Sequence, residues 1–160
     1  MATSDHETGD AYQFEFTSID GEKLPLAAWR GRPVLVVNTA SFCGYTPQYR
    51  DLEALWRQYQ ARGLVVLGVP SNDFGEQEPG TATEIKQFCA TNYQVDFPLT
   101  EKYRVTGGAA HPFYGWVAGQ LGDRAERRPC PVQFIAADRV SARGRLHAEL
   151  MHPSRPRQQF

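Results

Sequence analysis

The chain has 160 residues, enough to bury a substantial core in one domain without the help of disulfides or metals. Its 17 Lys and Arg face 18 Asp and Glu, a net charge of −1, so no global field draws it to nucleic acid or to an anionic membrane. The start MATSDHETGD has neither the basic region nor the apolar stretch of a secretory signal, and no later apolar run approaches the roughly 20 residues that span a bilayer. The expectation is one domain over residues 1–160, cytoplasmic and without membrane insertion, its ends at 1–10 and 152–160 flexible.

In chain order, Tyr12, Phe14 and Phe16 alternate with polar residues, and Asp20-Gly21 supplies turn chemistry before Leu24 and Leu26, which predicts an N-terminal β-hairpin. PVLVVN (Pro33 to Asn38) and LVVLGV (Leu64 to Val69) are short β-branched runs, apolar on both faces, as in central parallel strands covered on two sides. Between them Leu52, Leu55, Trp56 and Tyr59 fall at helical spacing and Gly63 ends the pattern, completing a βαβ unit. Thr81 with Glu84 three residues on is a capping-box spacing that opens a second helix carrying Ile85, Phe88 and Cys89 on one face. A third helix begins near Pro112 with Phe113, Trp116 and Val117, and VQFIA and RLHAEL form a candidate closing hairpin. The whole predicts an α/β fold: a central mixed sheet flanked by helices, with an N-terminal β-hairpin.

Ligand sites in such sheets form beyond the carboxyl ends of the parallel strands, and Cys43 lies just past one such end. A thiolate is the nucleophile, and an ordinary cysteine with a pKa of about 8.5 is mostly protonated at neutral pH unless something stabilises its charge. No Lys or Arg occurs between Pro33 and Tyr49, so the stabilising field must come from backbone N–H groups at the helix starting near Thr46-Pro47, from neutral donors such as Ser41, and from close approach at Gly44. On these grounds alone Cys43 is either a nucleophile or a small residue packed in a turn. The polar stretch SNDFGEQEPG follows the second strand and should lie beside the Cys43 loop. In it Gln77 offers a neutral amide that can donate to a thiolate or peroxide oxygen without competing as a base. The histidines His6, His111, His147 and His152 have no metal-ligand spacing with the cysteines, and neither metal nor cofactor is expected.

NTASFCGYT, VLGVPSNDFGEQEPG and EIKQFCATNYQVDFP, taken together, resemble the glutathione peroxidase family in order and spacing, over roughly Tyr12 to Val117. The resemblance implies a thioredoxin-like fold and a thiol peroxidase that reduces hydrogen peroxide and organic hydroperoxides. It makes Cys43 the peroxidatic residue and Gln77 its hydrogen-bonding partner. Cys89, in EIKQFC, matches the resolving cysteine of the thioredoxin-dependent, monomeric subgroup, which implies a Cys43–Cys89 disulfide reduced by thioredoxin, with glutathione the competing reductant. Its place on an apolar helix face also fits a plain core thiol. Three cysteines are too few for a disulfide framework, and any disulfide here would be transient.

The resemblance departs in the last third. Where the family has Trp-Asn-Phe, this chain has Val132, Gln133 and Phe134, so an amide remains at Gln133 but no indole donor does. Loss of donors that stabilise developing charge costs on the order of 10²–10³ in rate. Divergence with compensation, a weakly catalytic redox-sensing relative and an altered reading frame are the three readings, and Cys130 in this segment is a bystander or an alternative resolving thiol.

Overall fold

In the computed structural model, residues 10–121 and 134–136 are described. The N-terminal hairpin pairs β1 (Glu15–Thr17) with β2 (Lys23–Pro25), placing Phe16 opposite Leu24. Its turn is built by Ser18, whose hydroxyl accepts from the N–H groups of Asp20 and Glu22, and by Gly21 at φ +87°. The hairpin is shorter than the alternation from Tyr12 predicts. Ala11–Gln13 instead winds into a 3-10 turn, because the Asp10 carboxylate accepts from the Tyr12 N–H and caps it.

The central sheet has the order β4-β3-β5. β3 (Val34–Thr39) and β4 (Val65–Pro70) run parallel in a register that sets Val34 against Val65 and Thr39 against Pro70. β5 (Phe134–Ala136) is antiparallel to β3, with Phe134 opposite Val37, so the sheet is mixed as expected. The partner strand suggested by RLHAEL lies outside the described residues. A further extended segment joins β4 at Gly68, whose N–H donates to Pro98 and whose carbonyl accepts from Thr100. Gly68 is required there, since a Cβ would stand 2.6 Å from the Leu99 side chain.

Alternation along the strands separates two apolar layers. Val34, Val36, Val65, Leu67 and Val69 pack with Phe16, Leu26, Phe113 and Val117, which places the hairpin and α3 (Pro112–Leu121) on one face. Val37 and Val66 pack with Tyr49, Leu52, Ile85, Cys89 and Phe97, which places α1 (Gln48–Tyr59) and α2 (Ala82–Tyr93) on the other. The capping box at Thr81 and Glu84 is formed, with both reciprocal hydrogen bonds present. Trp29, Trp56 and Trp116 all pack against these cores, as predicted.

One helix face differs from the sequence expectation. The buried stripe of α1 is Tyr49, Leu52, Glu53 and half-buried Trp56, while Leu55 and Tyr59 stand at its margin. The stripe is still i, i+3, i+4, i+7, but it includes a carboxylate. Glu53 is tolerated because one oxygen accepts from Arg57 Nε at 2.7 Å and the other from the Asp96 N–H at 2.9 Å. Among the described residues, no helix is long and apolar enough to cross a membrane.

Candidate active site

Parallel pairing brings the ends of β3 and β4 to one edge, and the two following loops meet there. The Phe42 N–H donates to the Gln77 carbonyl at 3.0 Å, so the Cys43 loop and the Gln77 loop are joined through backbone. The two loops therefore lie side by side, as expected. The link runs through the Gln77 backbone, and the half-buried Gln77 side chain is not among the residues lining the Cys43 cavity.

The Cys43 loop descends into α1 through consecutive turns, with the Thr46 N–H bonded to the Cys43 carbonyl and the Gln48 N–H to that of Tyr45. Cys43 Sγ accepts a hydrogen bond from the Tyr45 N–H at 3.3 Å. Among the described residues a backbone N–H rather than a cation thus faces the sulfur, in keeping with the absence of Lys and Arg from Pro33 to Tyr49. Thr46 fixes the turn: its buried hydroxyl donates to the Ala40 carbonyl and accepts from the Cys43 N–H, both at 2.9 Å. The sequence signal for Thr46 was its place before Pro47 at a helix start; its grip on Cys43 was not readable. Ser41, a candidate donor to the sulfur, instead turns its buried hydroxyl toward Glu78.

Cys43 is half-buried and lines a cavity of about 10 Å³ with Thr39, Ala40, Thr46 and Tyr49, space for about one water-sized group. Phe42 and Tyr45, on either side, are 67% and 52% exposed. The Gln77 loop is held from several sides. Asn72 Oδ1 accepts from the Glu78 N–H, and Lys102 Nζ donates to the carbonyls of Glu78 and Gly80. Asp73 accepts from the N–H groups of Val105 and Thr106. Gly75 and Glu76, both at positive φ, make the bend that turns the loop back.

Cys89 is buried at 1% exposure in α2, and both described cysteines are free thiols. Burial pushes the Cys89 thiol up to about 11, opposed in part by Tyr49 and reinforced by the charge of Glu78. It borders a different cavity from Cys43, a groove of about 370 Å³ between the hairpin turn, α2 and the Val95–Leu99 segment. The two sulfurs are not brought together in this state. Tyr49, which lines the Cys43 cavity and packs with Cys89, stands between the two environments. Cys130, Val132 and Gln133 lie outside the described residues. Among the described residues no group of His, Cys, Asp and Glu could hold a metal ion. His111 is committed structurally, stacked on Phe16 with Nε2 2.8 Å from the Glu15 carbonyl.

The family model described as glutathione peroxidase matches residues 11–118. The hydroperoxy fatty acid reductase gpx1 of Synechocystis sp. is 50% identical over 103 residues, 64% of this chain and 61% of that protein. The glutathione peroxidase-like peroxiredoxin gpx1 of Schizosaccharomyces pombe is 50% identical over 101 residues, 63% of this chain and 64% of that protein. The match thus spans less than two thirds of the length of these relatives. The crystal structure of T. cruzi GPX1 superposes with a TM-score of 0.56 at 28% identity, covering 81% of this chain and 88% of that one. A thioredoxin family thiol:disulfide interchange protein from Chlorobium tepidum shares the fold, with a TM-score of 0.50 at 16% identity over 68% of this chain and 65% of that one. With its mixed sheet, N-terminal hairpin and Cys43 loop joined to the Gln77 loop, the chain has a thioredoxin-like fold and belongs to the glutathione peroxidase family.

Proposed function

We propose that the chain is a thiol peroxidase for hydrogen peroxide and organic hydroperoxides, with Cys43 as the peroxidatic residue. The observation that carries this reading is the Tyr45 N–H aimed at Cys43 Sγ, at the mouth of a cavity that admits about one oxygen-sized group. The Cys43 thiol gives up its proton to water, its thiolate attacks one peroxide oxygen, an S–O bond forms as the O–O bond breaks, and the leaving alkoxide or hydroxide takes a proton back from water. The Gln77 amide and, by its place in the sequence motif, the Gln133 amide are the neutral donors suited to the developing negative charge.

Cys89 is the resolving thiol in this reading. It condenses with the Cys43 sulfenic acid to a disulfide and water, after α2 opens locally to release it. A protein dithiol of the thioredoxin type then reduces the disulfide. Among the described residues that line the Cys43 cavity there is no Lys or Arg to recognise the carboxylates of glutathione, which favours a protein reductant. The peroxiredoxin name of the Schizosaccharomyces pombe relative supports the same reading. A cytoplasmic monomer completes the reading.

Stopped-flow oxidation of Cys43 by hydrogen peroxide tests the function: a rate no faster than that of an ordinary free thiol overturns it. Intact mass of the oxidised chain should show loss of two hydrogens, and Cys89→Ser should instead gain one oxygen as sulfenic acid. Loss of two hydrogens in Cys89→Ser transfers the resolving role to Cys130. Turnover with thioredoxin and glutathione systems side by side identifies the reductant. Val132 and Gln133, in place of Trp-Asn, favour one further reading, a redox sensor. Fast Cys43 oxidation with poor turnover in both systems is its signature.

A further inference from the structure

Glu78 follows Gln77 in the chain, yet its side chain enters the interior. It is 1% exposed, and neither carboxylate oxygen has a hydrogen-bond partner among the described residues. The carboxylate faces the hydroxyl and backbone N–H of Ser41, two residues before Cys43, and its charge reaches Cys89 and Tyr49. The hydroxyls of Ser41 and Thr39 are likewise buried without hydrogen-bond partners among the described residues, and that of Tyr49 faces Thr39 and Cys89. Lys102, whose charge is felt at Glu78, donates its hydrogen bonds to the carbonyls of Glu78 and Gly80 rather than to the carboxylate.

An unpaired buried carboxylate is costly, and the fold does not require this one. The loop is held through the backbone of Gln77, Glu78 and Gly80 and the side chains of Asn72 and Lys102, none of which contacts the Glu78 carboxylate. A glutamine of the same shape would preserve all of those bonds. What the carboxylate adds is a proton-accepting group next to Gln77, in the loop bonded to the Cys43 loop, whose charge is felt at Cys89.

We infer that Glu78 takes the proton of Cys89 as this thiol attacks oxidised Cys43, and returns it to the departing hydroxide. The inference rests on the reading of Cys43 and Cys89 as peroxidatic and resolving residues. In the first half-step, Cys89–SH and the Glu78 carboxylate become the thiolate and the carboxylic acid. In the second, the thiolate attacks Cys43 Sγ, the S–S bond forms and the S–O bond of the sulfenic acid breaks. The leaving hydroxide takes the Glu78 proton and departs as water. Glu78 ends as it began, and the cluster never holds more than one negative charge.

The electrostatics agree with this order. Burial raises the Glu78 carboxyl above its ordinary 4.5, toward the range of a useful base, while Cys89 near 11 is almost wholly protonated at neutral pH. With Glu78 ionised, its charge opposes formation of a thiolate at Cys89, and a proton passed between the two removes that opposition.

The test is Glu78→Gln in the full chain, mixed rapidly with hydrogen peroxide, quenched by alkylation and followed by intact mass from about pH 6 to about pH 9. In the unaltered chain, disulfide formation should vary little with pH once Glu78 is ionised. In Glu78→Gln it should be slower by about tenfold or more at neutral pH and rise by about tenfold per pH unit, because only hydroxide remains to ionise the thiol. Glu78→Asp should recover the shallow profile at part of the rate. A disulfide step in Glu78→Gln with unaltered rate and profile overturns the inference alone. Loss of sulfenic acid formation in both variants assigns Glu78 to holding the Cys43 loop and also overturns it. An unaltered chain that forms no sulfenic acid overturns the proposed function and this step together.

Discussion

The N–H of Phe42 donates to the carbonyl of Gln77 at 3.0 Å, and this bond joins into one edge two loops that α1 and β4 separate in the chain. Because the bond is between backbone groups, it survives side-chain changes in either loop. Positioning of Cys43 therefore depends on what shapes each loop internally, and for the Cys43 loop that is chiefly Thr46.

Thr46→Ala should loosen Cys43. It removes a buried hydroxyl that donates to Ala40 and accepts from Cys43, leaving both backbone groups without that partner. The expected loss is about 1–3 kcal/mol of stability, read as a lower chemical-denaturation midpoint, together with slower Cys43 oxidation in stopped flow. Thr46→Ser keeps the oxygen and should recover most of both. Equal behaviour of the Ala and Ser variants would remove the hydroxyl from the account.

Gly68→Ala places a methyl group 2.6 Å from Leu99 and 3.1 Å from Phe97, inside a strand bonded on both sides. Overpacking at such a site costs about 1–3 kcal/mol. The measurement is the denaturant midpoint at constant slope, and an unchanged midpoint would show that the Val95–Leu99 segment moves aside freely.

Glu78→Gln should be more stable than the unaltered chain at neutral pH. The folded-state pKa of Glu78 lies above its ordinary 4.5, so its stabilising contribution is complete below about that pH and is lost as pH rises through the folded value. Glutamine does not titrate. The stability difference between variant and unaltered chain should therefore grow with pH and level off once Glu78 is ionised. A difference that stays constant across the whole range would contradict the burial-driven shift.

His111 gives the opposite sign. Burial against Phe16 lowers its pKa below 6.5, so the folded chain binds this proton less readily than the unfolded one. Its contribution is complete above about pH 6.5 and is lost as pH falls toward the folded value. Denaturation midpoints of the unaltered chain and of His111→Gln should therefore converge as pH falls below 6.5.

Thr81→Ala removes the hydroxyl that accepts from the Glu84 N–H, at an expected cost of about 0.5–2 kcal/mol to the start of α2. If opening of α2 delivers Cys89 to Cys43, the variant should form the disulfide faster, by roughly five- to thirtyfold when that cost is 1–2 kcal/mol. Rapid quench with intact mass reads this directly. A slower disulfide step would mean that the closed helix is the reacting form.

The sequence by itself determined the local and periodic features: the hairpin turn at Asp20-Gly21, the two buried strands, the capping box at Thr81 and Glu84, and Cys43 beyond the end of β3. These follow from backbone preference and from patterns a few residues long, and the three motifs together carried the family. Tertiary structure alone decided which polar groups the interior would hold. Periodicity marks Glu53 as polar and Glu78 as part of a solvated loop, yet both are buried, one satisfied by Arg57 and Asp96 and the other beside Ser41 without a hydrogen-bond partner among the described residues. Their partners lie in other elements, brought near only when β3, β4, α1 and α2 pack. Thr46 and Tyr49 gain their places around the two cysteines in the same way, because a short pattern records a residue's own preference and not what the fold will set against it.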